Sequence, residues 1–441
     1  MNAMASIYEI LVRFLLFLIK IIAPFSPKTK KWVDGQKNSQ SVEWLVKTPT
    51  TDENKNGQKT IDDTSNDPRP STHNLKTVWF HAASLGEFEQ GRPVIEAFRQ
   101  HYPDSKIVLT FFSPSGYDVR KNYDGADLVC YLPADTRANV RRFLDSVQPD
   151  VALFIKYEFW FNYLTELKKR QIPTILFSTI FRPNQPFFKW YGAFHRQMLH
   201  CFDSILVQNE ESFNLLKSVG YQNVILSGDT RFDRVLQISK SILPLPDIEA
   251  FKGSDPVLIV GSAWPDDMAV LIPFLNNFNQ PLKVIIAPHE IDKTQIEQWQ
   301  GQLSVISCQL SVFGQYTTNT PNPSLLFIDS IGLLSALYQY ADFAYIGGAF
   351  GDGLHNVLEP AAFGVPLFFG DKFYDKFQEA HDLIALEAAF VVSGTQSFET
   401  KFTKIYQNKK LSDQIATKTT DYVATHAGAT QMVIDELNRY L

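Results

Sequence analysis

The sequence predicts an α/β protein built on two doubly wound parallel sheets. Three observations predict it. From residue 77, short apolar runs alternate with amphipathic stretches, the pattern of strands and crossover helices. The runs are apolar almost throughout, as strands buried on both faces must be. The alternation pauses over residues 236–256, which include LPLPD and KGSDP, and then restarts. Two sheets joined by a Pro-rich hinge are therefore expected.

Taken in order, residues 7–25 read IYEILVRFLLFLIKIIAPF, an apolar stretch carrying only Glu9, Arg13 and Lys20 as charges. On a helix these three fall within roughly 40° of one another, and Glu9 and Arg13 form an i,i+4 pair. One polar stripe on an apolar cylinder suits a helix lying in a membrane interface; a spanning helix and a helix packed on its own domain are the alternatives. Lys28, Lys30 and Lys31 follow as a basic collar for anionic lipid on the cytoplasmic side. No small-residue cleavage site follows the apolar run, which argues against a secretory signal. Residues 1–31 are thus read as a membrane-associated anchor.

Residues 32–76 are read as a linker, because 48–76 are polar and offer almost nothing to bury. The first sheet domain is assigned to 77–240. Its strands are read at 77–82, 106–112, 127–132, 150–155, 173–178, 203–207 and 223–227. The second domain is assigned to 241–441, with strands at 256–261, 282–288, 324–329, 342–347 and 365–370 and a helical tail from about 395. Open α/β sheets bind ligands at the carboxyl ends of their strands, so two such domains facing a cleft place the expected site there.

Composition narrows the function. A formal net charge of -6 lacks the basic excess of a nucleic-acid binder. The three cysteines, Cys130, Cys201 and Cys308, are far apart and have neither metal-ligand nor redox spacing. The chain has no GxxxxGK[ST] loop, no HExxH, no Cys/His cluster and no Gly-x-Ser-x-Gly elbow.

Three segments carry candidate chemistry. The first, HAASLGEFEQGRP (81–93), follows the first strand directly. Glu87 there is either a helix-capping carboxylate paired with Ser84 or a general base beside the permissive Ser84 and Gly86. The second, IKYEFWFN (155–162), sets Glu158 among Tyr157, Phe159 and Trp160 at the end of the fourth strand. Such a carboxylate is either disfavoured in its charged form or paired, with Lys156 the nearest candidate. The third, IGGAFGDGLHNVLEPAAFGVP (346–366), runs from a strand through glycines to Gly353 and into a helix expected to begin near His355 or Asn356. Glycines admit close approach of a ligand, and a helix start offers free N–H groups to a phosphate. Asn356 and Glu359 share the first turn, as a capping pair or as ligand contacts. His289, Arg231 and the DSIG segment containing Ser330, Ile331 and Gly332 sit at further strand ends.

Taken together these motifs resemble the 3-deoxy-D-manno-octulosonic acid (Kdo) transferases, inverting glycosyltransferases of the GT-B fold. The resemblance rests on FHAASLGEFEQGRPVIEAF, IKYEFWFN, SGDTRFDRV, GSAWPDD, APHEI, DSIGLLSALYQYADFAYIGGAF and HNVLEPAAFGVPLFFG, in that order. It implies two Rossmann-like domains and transfer of Kdo from CMP-Kdo to a lipid A precursor, lipid IVA-like, on the cytoplasmic leaflet of the inner membrane. It implies Glu87 as general base and Glu158 as second acid. It places Ser330, Ile331 and Gly332 near cytosine, and Asn356 and Glu359 near phosphate and ribose. His289, Gly353 and His355 join the donor set, no metal or other cofactor is implied, and CMP-Kdo is a substrate. The sequence departs from the family pattern at Trp160-Phe161-Asn162, where Trp-Pro-Asn is usual. It departs again at Ser178-Thr179-Ile180, where Asn-Ala-Arg is usual, which leaves Arg182 as the replacement acceptor-side cation. Gly353-Leu354-His355-Asn356 stands where Gly-Gly-His-Asn is usual. The alternatives are another GT-B sugar-nucleotide enzyme, such as an epimerase or a lipid A disaccharide synthase, and a non-catalytic membrane-tethered nucleotide-sugar binder. An epimerase needs no anchor, and a binder needs neither glutamate.

Overall fold

A computed structural model describes residues 2–40, 76–303, 310–312, 324–330 and 332–441. The chain divides into two compact units, Met1–Thr230 with Gly428–Leu441, and Arg231–Ala427. Two helices open the first unit, α1 (Asn2–Ile22) and α2 (Pro27–Gln40). Its sheet comprises β1 (Thr77–Ala82), β2 (Lys106–Phe111), β3 (Leu128–Tyr131), β4 (Val151–Ile155), β5 (Thr174–Thr179), β6 (Ser204–Val207) and β7 (Val224–Leu226). Between these strands run α3 (Leu85–His101), α4 (Pro114–Arg120), α5 (Arg137–Val147), α6 (Phe161–Lys169), α7 (Ala193–Leu199) and α8 (Glu210–Ser218). The sheet order is β3-β2-β1-β4-β5-β6-β7, and every pair is parallel. The order reverses beside β1 and β4, the switch point at which such sheets hold ligands.

The second unit begins with α9 (Thr230–Ser241) and α10 (Pro246–Lys252). Its strands are β8 (Val257–Ala263), β9 (Lys283–Pro288), β10 (Leu310–Val312), β11 (Leu325–Phe327), β12 (Phe343–Ile346), β13 (Leu367–Gly370) and β14 (Ala389–Val392). They are ordered β10-β11-β9-β8-β12-β13-β14 and are again parallel. The helices are α11 (Pro265–Asn277), α12 (Lys293–Gln302), α13 (Leu334–Leu337), α14 (Leu358–Ala362), α15 (Gln378–Ala385), α16 (Thr395–Tyr406) and α17 (Lys409–His426). The last helix, α18 (Ala429–Leu437), returns to the first unit, where Val433, Ile434 and Leu437 join the core beneath β1 and Glu436 accepts a hydrogen bond from Ser204 Oγ.

All twelve strands read from the sequence are present, most of them apolar enough to be buried on both faces, with β7 partly exposed at Leu226. Val151 to Ile155 of β4 are wholly inaccessible, each contributing about 1.5–3 kcal/mol where the side chain is large. Strands β10 and β14 were not foreseen: they are edge strands of three and four residues, too short to stand out as a period. The Pro-rich pause holds two helices, α9 and the Pro-initiated α10, and the 240/241 division falls inside α9. The basic segment does not end at residue 31. It continues as α2, with Trp32 and Gln36 buried, and Gln36 accepts from Ala134 N–H and donates to Leu132 O.

Helix α1 is anchored through Tyr8 and Glu9, while Arg13 and Lys20 remain exposed. Glu9 accepts hydrogen bonds from Arg13 Nε (2.8 Å), Arg137 N (3.2 Å) and Asn162 Nδ2 (3.1 Å), and Tyr8 donates to Asp135 Oδ2 (2.6 Å). Burial raises the Asp135 carboxyl to about 6, although it accepts the N–H groups of Asn162 and Tyr163 at the start of α6. Turning Glu9 inward leaves the apolar side outward: Ile7, Leu11, Phe14, Leu18 and Ile21 are all exposed. No helix among the described residues is long and apolar enough to cross a membrane.

Candidate active site

The first candidate site lies at the carboxyl ends of β1 and β4. Residues of β1 alternate across the sheet, and His81 is buried at 0% exposure. A core histidine must satisfy both ring nitrogens. Trp79 Nε1–H donates to Thr110 Oγ1 (2.8 Å), and Thr110 Oγ1 lies 2.8 Å from His81 Nδ1. His81 Nε2 lies 2.8 Å from Glu158 Oε2, which also accepts from Trp160 Nε1 (2.5 Å). A carboxylate only accepts, so His81 donates from Nε2 to Glu158, while Nδ1 faces both the Thr110 hydroxyl and the Thr110 carbonyl (3.1 Å). Glu158 is therefore 5% exposed and held from two sides. Lys156, two residues before it, takes a left-handed backbone (φ 74°) that turns the chain at the strand end. That conformation costs free energy in a non-glycine residue and is concentrated where function needs it.

Glu87 stands on the first turn of α3, half-buried. Its Oε2 accepts from Ser84 N (3.0 Å) and Ser84 Oγ (3.3 Å), so the capping geometry is real. Capping does not exhaust it. Burial first, and then the charge of Glu158, raise its carboxyl above the usual range, while His81 and Lys156 pull it down. A carboxylate with a raised proton affinity at a strand end is what a general base requires. Gly86 beside it is exposed and a Cβ there would meet nothing. Glu89 does different work: it pairs with Arg120 (2.6 Å) and Arg92 (3.8 Å). Arg182 is exposed, with Nη1 3.5 Å from Tyr157 Oη, next to Glu158 in the chain.

The second candidate site lies at the carboxyl ends of β8, β9 and β12. Trp264 stacks on His289 with ring centroids 4.3 Å apart, and His289 lies 4.5 Å from His355. Trp264 Nε1–H donates to His355 Nε2 (2.9 Å), which leaves the His355 proton on Nδ1. Burial, then the neighbouring His289, lower the His355 imidazole to about 4. It is a neutral donor at physiological pH. Beneath it, Asp267 is fully buried and accepts from Trp264 N (3.1 Å), Gly348 N (2.9 Å) and Tyr345 Oη (3.1 Å). Gly348 has φ +93°, and a Cβ on it would sit 2.3 Å from Gly353 O, so only glycine closes this loop.

Asn356 Oδ1 accepts from Leu358 N (3.0 Å) and its Nδ2 donates to Glu359 Oε1 (3.0 Å), while Glu359 Oε2 accepts from Ser335 Oγ (2.7 Å). The helix expected near His355 or Asn356 begins instead at Leu358 and has five residues. Its summed dipole is correspondingly small, so a phosphate here depends on side chains and on loop N–H groups. Ser330 Oγ is buried with no hydrogen-bond partner among the described residues, and Gly332 has φ +93°. Ile331 lies outside the described residues. Arg231 is in the second unit, paired with Glu379 at 2.9 Å. The structure thus gathers Glu87 and Glu158 in one unit, and His289, Gly353, His355, Asn356 and Glu359 in the other. Sequence reasoning passed over His81, Trp264 and Asp267. His81 was legible as a titratable residue inside a strand, and Asp267 as the third position of a Pro-initiated helix. Trp264 carried no such signal.

The fold of two parallel-sheet units is shared with solved structures. A UDP-GlcNAc 2-epimerase from Neisseria meningitidis matches with a TM-score of 0.59 at 15% identity, covering 83% of this chain and all of that one. A glycosyltransferase from Rickettsia africae matches at 0.56 and 11% identity over 82% of this chain and 98% of that one. MurG from Acinetobacter baumannii matches at 0.53 and 15% identity, over 82% and 99%. In sequence, the profile of a 3-deoxy-D-manno-octulosonic-acid transferase (kdotransferase) family matches residues 55–234. The 3-deoxy-D-manno-octulosonic acid transferase of Aquifex aeolicus is 26% identical over 353 residues, 78% of this chain and 90% of that protein. That of Haemophilus influenzae is 24% identical over 381 residues, 82% and 87%. The fold is therefore of the GT-B type, two parallel-sheet α/β units. Over residues 55–234, and at about a quarter identity to the named relatives, the chain is similar to the Kdo transferases.

Proposed function

We propose that this enzyme transfers Kdo, with inversion, from CMP-Kdo to a hydroxyl of a lipid IVA-like lipid A precursor. The observation that carries the reading is the buried, doubly held Glu158 beside a Glu87 whose proton affinity is raised. In the reaction Glu87 takes the acceptor hydroxyl proton as that oxygen bonds to the anomeric carbon. The bond from that carbon to the CMP phosphate oxygen breaks, and CMP leaves with the electron pair. Glu158 is held in position by His81 and Trp160, and beside burial it is the second cause that holds the proton affinity of Glu87 up. On the donor side, His355 Nδ1–H, stacked His289 and the loop N–H groups bind phosphate. Ser330, Gly332, Asn356 and Glu359 bind the nucleoside, and Ser330 Oγ has a hydrogen bond to give. Ser84, Gly86 and Arg182 border the acceptor. The reading assigns charge neutralisation to protein groups, with no metal or other cofactor.

The same proposal puts the enzyme on the cytoplasmic face of the inner membrane. Support comes from the outward apolar face of α1 and from Lys28 and Lys30, which follow it. The test is transfer in detergent, with CMP-Kdo generated in situ and a tetraacylated lipid A precursor, comparing wild type with Glu87→Gln. Product from wild type and a loss of about 10²–10⁴-fold in a folded variant support the reading. Equal turnover reduces Glu87 to a cap, and CMP binding with no product from either protein rejects the donor or acceptor.

A further inference from the structure

The turn before α7 displays two aromatic rings that no described residue of the first unit covers. Trp190 is 92% exposed and Tyr191 56%, with their rings packed only edge to face, 5.5 Å apart. A fully exposed indole leaves a large apolar area in water. The display is rigid. Arg196 Nη1 donates to Phe187 O and Lys189 O (both 2.9 Å), Gly192 N donates to Lys189 O (2.9 Å), and Phe187 is buried against Phe159 and Phe181. A Cβ at Gly192 would fall 1.9 Å from Pro186 O, so the turn cannot form otherwise.

The surroundings say what covers these rings. Helix α7 runs alongside α1 in the opposite sense: Ala5 shares a cavity of about 650 Å³ with Gln197, His200 and Cys201, whereas Tyr8 packs on Phe194 (6.1 Å). Continuing the same course brings the turn at 190–191 toward the outward apolar stretch from Leu11 to Leu15. The cavity at the Ala5 end also holds Arg137 and Arg141, one helical turn apart on α5. Neither guanidinium has an ion-pair partner among the described residues. Glu166, the cavity's carboxylate, is already held by Arg170 at 3.0 Å. Aromatic rings beside Lys189, with an apolar helix face and uncompensated arginines on the same side of the unit's N-terminal helix pair, match the headgroup level of an anionic bilayer.

We propose that the Lys189–Trp190–Tyr191 turn is a second membrane-contact element, seating both rings at the headgroup level of an anionic phospholipid bilayer beside α1. This rests on the membrane reading of α1 made above, and the experiment separates the two. Full-length protein is mixed with phosphatidylglycerol vesicles whose acyl chains are plain or brominated. Sedimentation reports binding, and tryptophan quenching by bromine reports insertion, with Trp190→Phe as the reference. The expected result is co-sedimentation of both proteins and a quenched component present in wild type and missing from Trp190→Phe. The double variant Trp190→Ala/Tyr191→Ala should bind vesicles roughly tenfold more weakly. Co-sedimentation with identical quenching in wild type and Trp190→Phe overturns the proposal and leaves α1 as the contact. A Trp190 component that appears only once a lipid A precursor is added also overturns it, assigning the rings to the acceptor. Absence of co-sedimentation rejects the membrane reading itself.

Discussion

Replacing Asp267 with alanine tests whether one buried carboxylate holds the donor site together. Asp267 accepts from Trp264 N at the N-cap of α11, from Gly348 N in the glycine loop and from Tyr345 Oη in β12. Tyr345 is wholly buried, and a Cβ at the adjacent Gly347 would fall 2.2 Å from Ser262 O, so the loop cannot shift to find other partners. A buried donor left unpaired costs about 1–3 kcal/mol. Asp267 also lines a cavity of about 240 Å³, from which water can re-pair one of the three donors. The expected loss is about 3–5 kcal/mol in the second unit. Asp267→Asn keeps an oxygen for the two backbone donors while the Tyr345 hydroxyl rotates, and should lose about 1–2 kcal/mol. Urea unfolding followed by tryptophan fluorescence and circular dichroism measures both, and CMP titration of the folded variants measures the site. A loss below about 1 kcal/mol for alanine, or equal losses for the two variants, would refute the reasoning.

The remaining predictions follow from the same geometry. In Glu158→Gln the second cause of the raised Glu87 carboxyl is removed, so the acidic limb of kcat/KM should move to lower pH; an unmoved limb contradicts the electrostatic link. Asp135 titrates near 6 in the folded protein, above its ordinary value of 3.8. The stability it contributes is complete below about pH 4 and is lost as pH rises through 6, by up to about 3 kcal/mol relative to Asp135→Asn. Parallel stability curves for the two proteins between pH 4 and 7 would contradict that. Trp264→Phe removes the donor that fixes the His355 tautomer, and CMP should bind roughly three- to tenfold more weakly in calorimetry; unchanged affinity would show that the tautomer does not matter.

Strand positions were legible because burial on both faces writes itself into composition: VALFI at 151–155 admits no other reading in this alternation. The amphipathic character of α1 was legible for a related reason, since three charges on one stripe survive any packing. The direction in which that stripe points was not. Its Glu9 end turns inward, while Arg13 and Lys20 stay exposed, because Arg137 N, Asn162 Nδ2 and Asp135, all more than a hundred residues away, offer partners for Glu9 and Tyr8.

The sequence by itself determined the two sheets and the glutamates at strand ends, because periodicity and local motifs are properties of neighbouring residues. Only the tertiary structure decided the raised proton affinity of Glu87, through burial first and then the charge of Glu158 seventy-one positions later. It also decided that His355 is neutral and donates from Nδ1, through Trp264 and His289. Proton affinity and tautomer depend on burial and on groups brought together by folding. Chain distance carries no record of either.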